Sequence, residues 1–196
     1  MTPKQEERIR TKIKHIKAEL SADKKRNGGY YDDSKGFRYL PTSFYIQIGD
    51  FSAGLRYTKW FQKNFPDDSG LPDFLFEWTI ILFKTNNLKD AEKKAFETFC
   101  SNTYLFDKFL GKPIIPINKY ENSNIDIPSY CDCLNYTSEK SELADFSDWL
   151  IKYLATEKFI TLSTKFIDIY KQLKIESNKE KRSYLLRQSR LLEVEV

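Results

Sequence analysis

The segment "YIQIGDFSAGLRYTKWFQKNFPDD", Tyr45 to Asp68, decides the fold. Upstream of its glycine, Leu40, Phe44 and Ile48 repeat at four-residue intervals, the spacing of one apolar helix stripe. Pro41 suits the first turn of that helix, where a missing N–H costs nothing. Gly49 is a natural stop because glycine enters the left-handed backbone region without a Cβ penalty. A return helix then carries Leu55, Trp60, Phe61 and Phe65 and ends before Pro66. The predicted unit is a helical hairpin.

The pattern recurs in "LPDFLFEWTIILFKTNNLKDAEKKAFETFCSN", Leu71 to Asn102. Pro72 opens an apolar helix through Phe74, Leu75, Trp78, Ile81 and Leu82, with Trp78 expected in the core. A "TNN" turn leads to a stripe of Leu88, Ala91, Ala95 and Phe99. Gly49 and Asn86 stand 37 residues apart, an offset typical of helical repeat arrays.

On these residues the chain resembles the tetratricopeptide repeat. Tyr45, Gly49, Gly54 and Pro66 fall where that repeat has its first-helix aromatic, inter-helix glycine, small packing residue and closing proline. The second unit carries Leu82, Asn86 and Ala91 at the corresponding places, with about three extra residues in the loop "DDSGLPD". The repeat's signature tryptophan and first-helix glycine are missing from both units. The resemblance implies an all-α fold with two hairpins over residues 37–110, arranged as in a right-handed α-α superhelix. It also implies a concave partner-binding groove formed by Tyr39, Ser43, Ile46 and Gln47 from the first hairpin and by Asp73, Phe76, Ile80, Phe83 and Lys84 from the second. Receptors of this family for chaperone tails clamp a terminal carboxylate with Lys and Asn. Tyr39 and Ser43 occupy those first positions here, which points to a less charged peptide. With only two hairpins, the rest of the chain can also fold back and make Phe76, Ile80 and Phe83 plain core.

Outside the hairpins, residues 1–27 form a basic amphipathic helix whose stripe is Ile9, Ile13, Ile16 and Leu20. The glycine-flanked loop Asn27–Gly36 follows, with Asp32 and Asp33 read as solvated turn residues. Residues 111–137 hold three prolines and five isoleucines and are expected to lie extended along the helices. Residues 138–196 form C-terminal helices: one capped by Ser138 with Leu143, Phe146, Leu150 and Leu154 inward, one with Phe159, Leu162, Phe166, Ile169 and Leu173, and a last helix over Lys179–Leu192 with Tyr184, Leu185 and Leu191 inward, acting as a cap. At 196 residues, one compact domain is expected overall.

Composition limits the chemistry. A chain with 40% hydrophobic, 15% aromatic and 31% charged residues has the apolar area to fold. No run approaches the roughly 20 apolar residues of a membrane span. The charged start "MTPKQEERIRTKIKHIK" lacks a signal-peptide core, and three cysteines do not make a disulfide framework, so a cytoplasmic protein is expected. The single histidine, His15, has no marked partner for catalysis. "CDC", Cys131–Cys133, lacks the second ligand pair of a zinc site. No phosphate loop, hydrolase elbow or metalloprotease motif is present. No catalytic residue, metal or cofactor is assigned.

Both ends are basic: residues 1–27 carry nine Lys/Arg against four Asp/Glu, and residues 171–190 carry seven against two. Solvated helix faces explain this most simply, and nucleic acid is not the expected partner. The function read from the sequence is a non-enzymatic scaffold or adaptor that binds an unknown protein or peptide. The alternative is a nucleic-acid-associated helical protein using its basic N- and C-terminal helices.

Overall fold

A computed structural model describes residues 1–195. The protein is all-α, and it divides into two compact units, Met1–Asn87 and a second beginning at Leu88. That boundary falls inside the stretch 37–110, in the turn between the two helices of the second expected hairpin.

In the first unit, α1 spans Pro3–Arg26. Thr2 and Gln5 cap it reciprocally, Pro3 sits in the first turn, and Ile9, Ile13, Ile16 and Leu20 are the buried stripe. Helix α2, Leu40–Gln47, follows a short 3-10 turn, Phe37–Tyr39, and is joined by a tight turn to α3, Phe51–Asn64. Gly49 has φ 69°. Its N–H donates to Ile46 O at 3.0 Å and that of Asp50 to Tyr45 O at 3.0 Å, which satisfies the carbonyls that α2 leaves open. The Asp50 carboxylate then accepts from Ala53 N at 3.1 Å and caps α3.

Helix α4, Pro72–Lys84, is buried at every position from Phe74 to Leu82, and Trp78 is 8% exposed. In its own unit it packs on α2 and α3. Ile9 and Ile13 of α1 join Tyr45 and Tyr57 in one apolar cluster, with Phe44, Ile48 and Trp60 packed around it. Helix α4 closes at Asn86, whose φ is 59°. There Asn86 N donates to Phe83 O and Asn87 N to Leu82 O, both at 2.9 Å, the same pair of bonds found at Gly49.

The second unit contains α5 (Leu88–Ser101), α6 (Leu105–Phe109), α7 (Ala144–Leu154), α8 (Glu157–Ile175) and α9 (Lys179–Val194). Ala91, Ala95, Phe96 and Phe99 of α5 are buried, and the Phe96 and Phe99 rings meet Phe159 of α8 edge-on. The proline-rich segment is tied down by its backbone. The Asn102 amide donates to Ile125 O at 2.7 Å and Ile127 O at 3.2 Å, Ile117 N donates to the Tyr104 hydroxyl at 3.1 Å, and Tyr120 N donates to Tyr170 O at 2.8 Å.

Three local readings are corrected. Asp33 is buried, accepting from Phe37 N and Arg38 N at 2.9 Å each, whereas its neighbour Asp32 is exposed. Ser138 caps no helix: a 3-10 turn, Ser141–Leu143, leads into α7, and Ser138 N donates to Phe109 O at 2.8 Å. In α9 the buried positions are Ser189 and Leu192, with Leu185 half-buried, while Tyr184 and Leu191 are exposed at 59% and 49%. Leu185, Ser189 and Leu192 are spaced by four and three, so they share a stripe that a small polar residue in its middle disguises.

Candidate functional site

Helix α2 presents three sides to its own unit. Tyr45 meets Tyr57 of α3 at 6.2 Å between ring centroids, Phe44 lies under Lys12 Nζ of α1 at 5.7 Å, and Thr42 donates to Glu77 of α4 at 2.5 Å. At 100° per residue this leaves Leu40, Ser43 and Gln47 as the outward stripe, with Ile46 half-buried at its edge. Leu40 is 42% exposed and Gln47 is exposed. No residue of α2 is charged.

The nine groove residues read from the sequence separate on this geometry. Ser43, Ile46 and Gln47 reach the surface along α2, although the Ser43 hydroxyl turns back to Leu40 O at 2.9 Å. Tyr39 is half-buried in the 3-10 turn, its ring against Phe74 and its hydroxyl 2.8 Å from Asp68. Asp73, Phe83 and Lys84 are half-buried, with Lys84 Nζ 5.7 Å from the Phe51 ring centroid. Phe76 and Ile80 are fully buried and offer a partner no surface. They share the burial of α4 from Phe74 to Leu82, which takes in the polar Glu77 and Thr79 as well, and this is the core alternative already open in the sequence.

Beneath α2 lies a polar cluster that pattern reading does not find. Arg38 Nε donates to Asp68 at 2.6 Å, its Nη1 donates to Asp33 at 3.0 Å, and its Nη2 donates to the Tyr39 hydroxyl at 3.0 Å. Tyr57 donates its hydroxyl proton to Arg38 O at 2.7 Å. Burial alone pushes Asp68 up, but hydrogen bonds from Gly70 N–H, Tyr39 and Arg38 outweigh it and hold the carboxyl below its usual range. Burial, reinforced by Asp68, pushes the Tyr39 phenol up to about 12. Arg38 and Asp33 are close in sequence, but Asp68 lies thirty residues on and carries no local signal. The cluster is a brace: the donors around Asp68 hold it ionised and make it a weak base.

His15 is exposed on α1, Cys133 is exposed, and Cys131 is buried with its thiol 3.4 Å from Asn102 Oδ1. Burial pushes the Cys131 thiol up to about 11, away from a reactive thiolate. Among the described residues, no group of three or more His, Cys, Asp or Glu is placed to hold a metal ion. No helix of the described residues is long and apolar enough to cross a membrane.

Comparison with known proteins finds no matching family model, no matching curated protein and no matching solved structure. Fold and surface define the class: an all-α protein built from packed helix pairs.

Proposed function

We propose that this protein is a non-enzymatic adaptor that binds a protein or peptide through the outward face of α2. The observation that carries the reading is the charge-free stripe Leu40, Ser43 and Gln47, open on a chain in which 31% of residues are charged. A neutral face with an exposed leucine suits an amphipathic or extended peptide. The tetratricopeptide-like reading is supported by Gly49 and Asn86, which share a left-handed backbone and the same closing bonds. It is also supported by Gly54, whose missing side chain lets α3 approach Tyr45 and Ile81.

Affinity capture from native extract with the wild type and with Leu40→Asp combined with Gln47→Lys tests the reading. A partner lost from the variant, with circular dichroism and Tm unchanged, supports it. The same set of partners retained by both proteins, or turnover abolished by a single point change elsewhere, overturns it.

A further inference from the structure

Helix α1 sorts its nine basic residues into two sets. Arg10 is 2.8 Å from Glu6 and 3.1 Å from Asp50, Lys12 lies over the Phe44 ring, Lys24 lies over the Tyr31 ring, and Arg26 is 3.5 Å from Asp23. The other five, Lys4, Arg8, Lys14, Lys17 and Lys25, are exposed and have no ion-pair or hydrogen-bond partner among the described residues. At 100° per residue, Lys4, Arg8, Lys14 and Lys25 lie on the arc opposite the buried Ile9–Leu20 stripe. Between them on that arc are Thr11, His15, Ala18 and Ala22, and the one acid of α1 there is Glu7. From Lys4 to Lys25 the arc runs about 30 Å at 1.5 Å per residue, close to the roughly 34 Å of one duplex turn.

We propose that this outward face of α1 docks on the phosphate backbone of a nucleic-acid duplex without reading its sequence. The chemistry of the face separates a duplex from other acidic partners. Adsorption of a helix into a bilayer surface buries an apolar face, and α1 turns its apolar stripe inward and shows no large apolar side chain outward. Single strands are held by stacking on several aromatic rings, and α1 has no Phe, Tyr or Trp and only the single imidazole of His15. A folded acidic protein is anchored by large aromatic or aliphatic side chains in pockets, and the arc offers no Leu, Ile, Val, Met, Phe, Tyr or Trp. A duplex is a continuous line of phosphates, so four irregularly spaced cations each find one, and the small Thr11, Ala18 and Ala22 let the helix lie close. This surface is separate from the α2 stripe, and its failure leaves the adaptor reading untouched.

The test is fluorescence anisotropy of the full chain with a labelled DNA duplex of about 20 base pairs, at salt from about 50 to 200 mM. Micromolar binding is expected at the low end, with log K falling against log salt at a slope of about −3.6 for four phosphate contacts. Replacing Lys4, Arg8, Lys14 and Lys25 together with Gln should lower affinity at least about tenfold and flatten the slope. The four side chains are exposed and make no ion pair or hydrogen bond among the described residues, so circular dichroism and Tm should stay as in the wild type. Replacing Arg187 and Arg190 of α9 with Gln is the control and should leave most of the binding. Absence of duplex binding at about 50 mM salt, loss confined to the α9 variant, or binding to phosphatidylserine vesicles but not to duplex would each overturn the proposal.

Discussion

Arg38 Nε donates to Asp68 Oδ2 at 2.6 Å, tying the turn before α2 to the loop before α4. The same guanidinium holds Asp33, whose side chain is 2% exposed. Arg38→Met would leave two partly desolvated carboxylates facing each other. Breaking a fully buried pair costs about 3–5 kcal/mol. Arg38 keeps 21% of its side chain in solvent, and a loss of about 2–3 kcal/mol is expected in urea unfolding. A change under about 0.5 kcal/mol would show that the cluster braces nothing.

The Asp68 carboxyl is held below its ordinary range in the folded chain. Its contribution to stability is therefore complete above the unfolded value of about 3.9 and is lost as pH falls through the lower folded value. Tm measured from neutral to strongly acid pH should fall below about pH 4, and less steeply in Asp68→Asn. Identical acid slopes for the two proteins would remove Asp68 from the account.

Gly49 and Asn86 both end their helices with positive φ, and a Cβ at Gly49 would meet nothing within 4 Å. The cost of Gly49→Val is then purely that of the backbone, and at least about 1 kcal/mol should be lost. Asn86→Gly should be neutral or mildly stabilising, while Asn86→Val should lose a similar amount to Gly49→Val. Equal stability of all three variants by thermal unfolding would contradict the turn geometry.

At Gly54 a Cβ would stand 3.0 Å from Ile81 Cδ1 and 3.4 Å from Tyr45 Cβ. Alanine gains about 1 kcal/mol of helix propensity, but it forces Ile81, which is fully buried, to move. Gly54→Ala should fall within about 1 kcal/mol of the wild type, and Gly54→Leu should lose about 1–3 kcal/mol or more. Ile81→Val removes the crowding methyl, so the Gly54→Ala, Ile81→Val pair should be more stable than additivity predicts by at least about 0.5 kcal/mol. Strict additivity would mean that α3 and α4 do not meet at this point.

The rotation of α9 has its own signature. Tyr184→Ser and Leu191→Ser, at exposed positions, should each shift stability by no more than about 0.5 kcal/mol. Leu192→Ala, at a site 6% exposed, should lose about 2–5 kcal/mol. The reverse order would restore the inward face read from the sequence.

Most helices and several helix ends were legible because both are local, whereas the start of α7 and the short α6 were not. Pro72 in a first turn, Gly49 at a stop and the four-three-four spacing of Ile9, Ile13, Ile16 and Leu20 each act within a few turns of chain. Even Asn86 could be matched to Gly49 from sequence, since few other residues tolerate that backbone. The candidate surface was legible only in part. The α2 positions Ser43, Ile46 and Gln47 emerged outward or at the edge, whereas Phe76 and Ile80 were drawn into the core.

What the sequence determined by itself was an all-α chain, its turns and the inward stripe of most helices, because periodicity and caps record local energetics. Tertiary structure alone decided that Asp33 and Asp68 share Arg38, that Ser189 rather than Tyr184 faces inward on α9, and that five cations of α1 have no ion-pair or hydrogen-bond partner among the described residues. Those outcomes depend on which distant group arrives opposite a side chain. A buried carboxylate and a solvated one have the same letter, and only the residues folded against them decide whether desolvation is met by a partner.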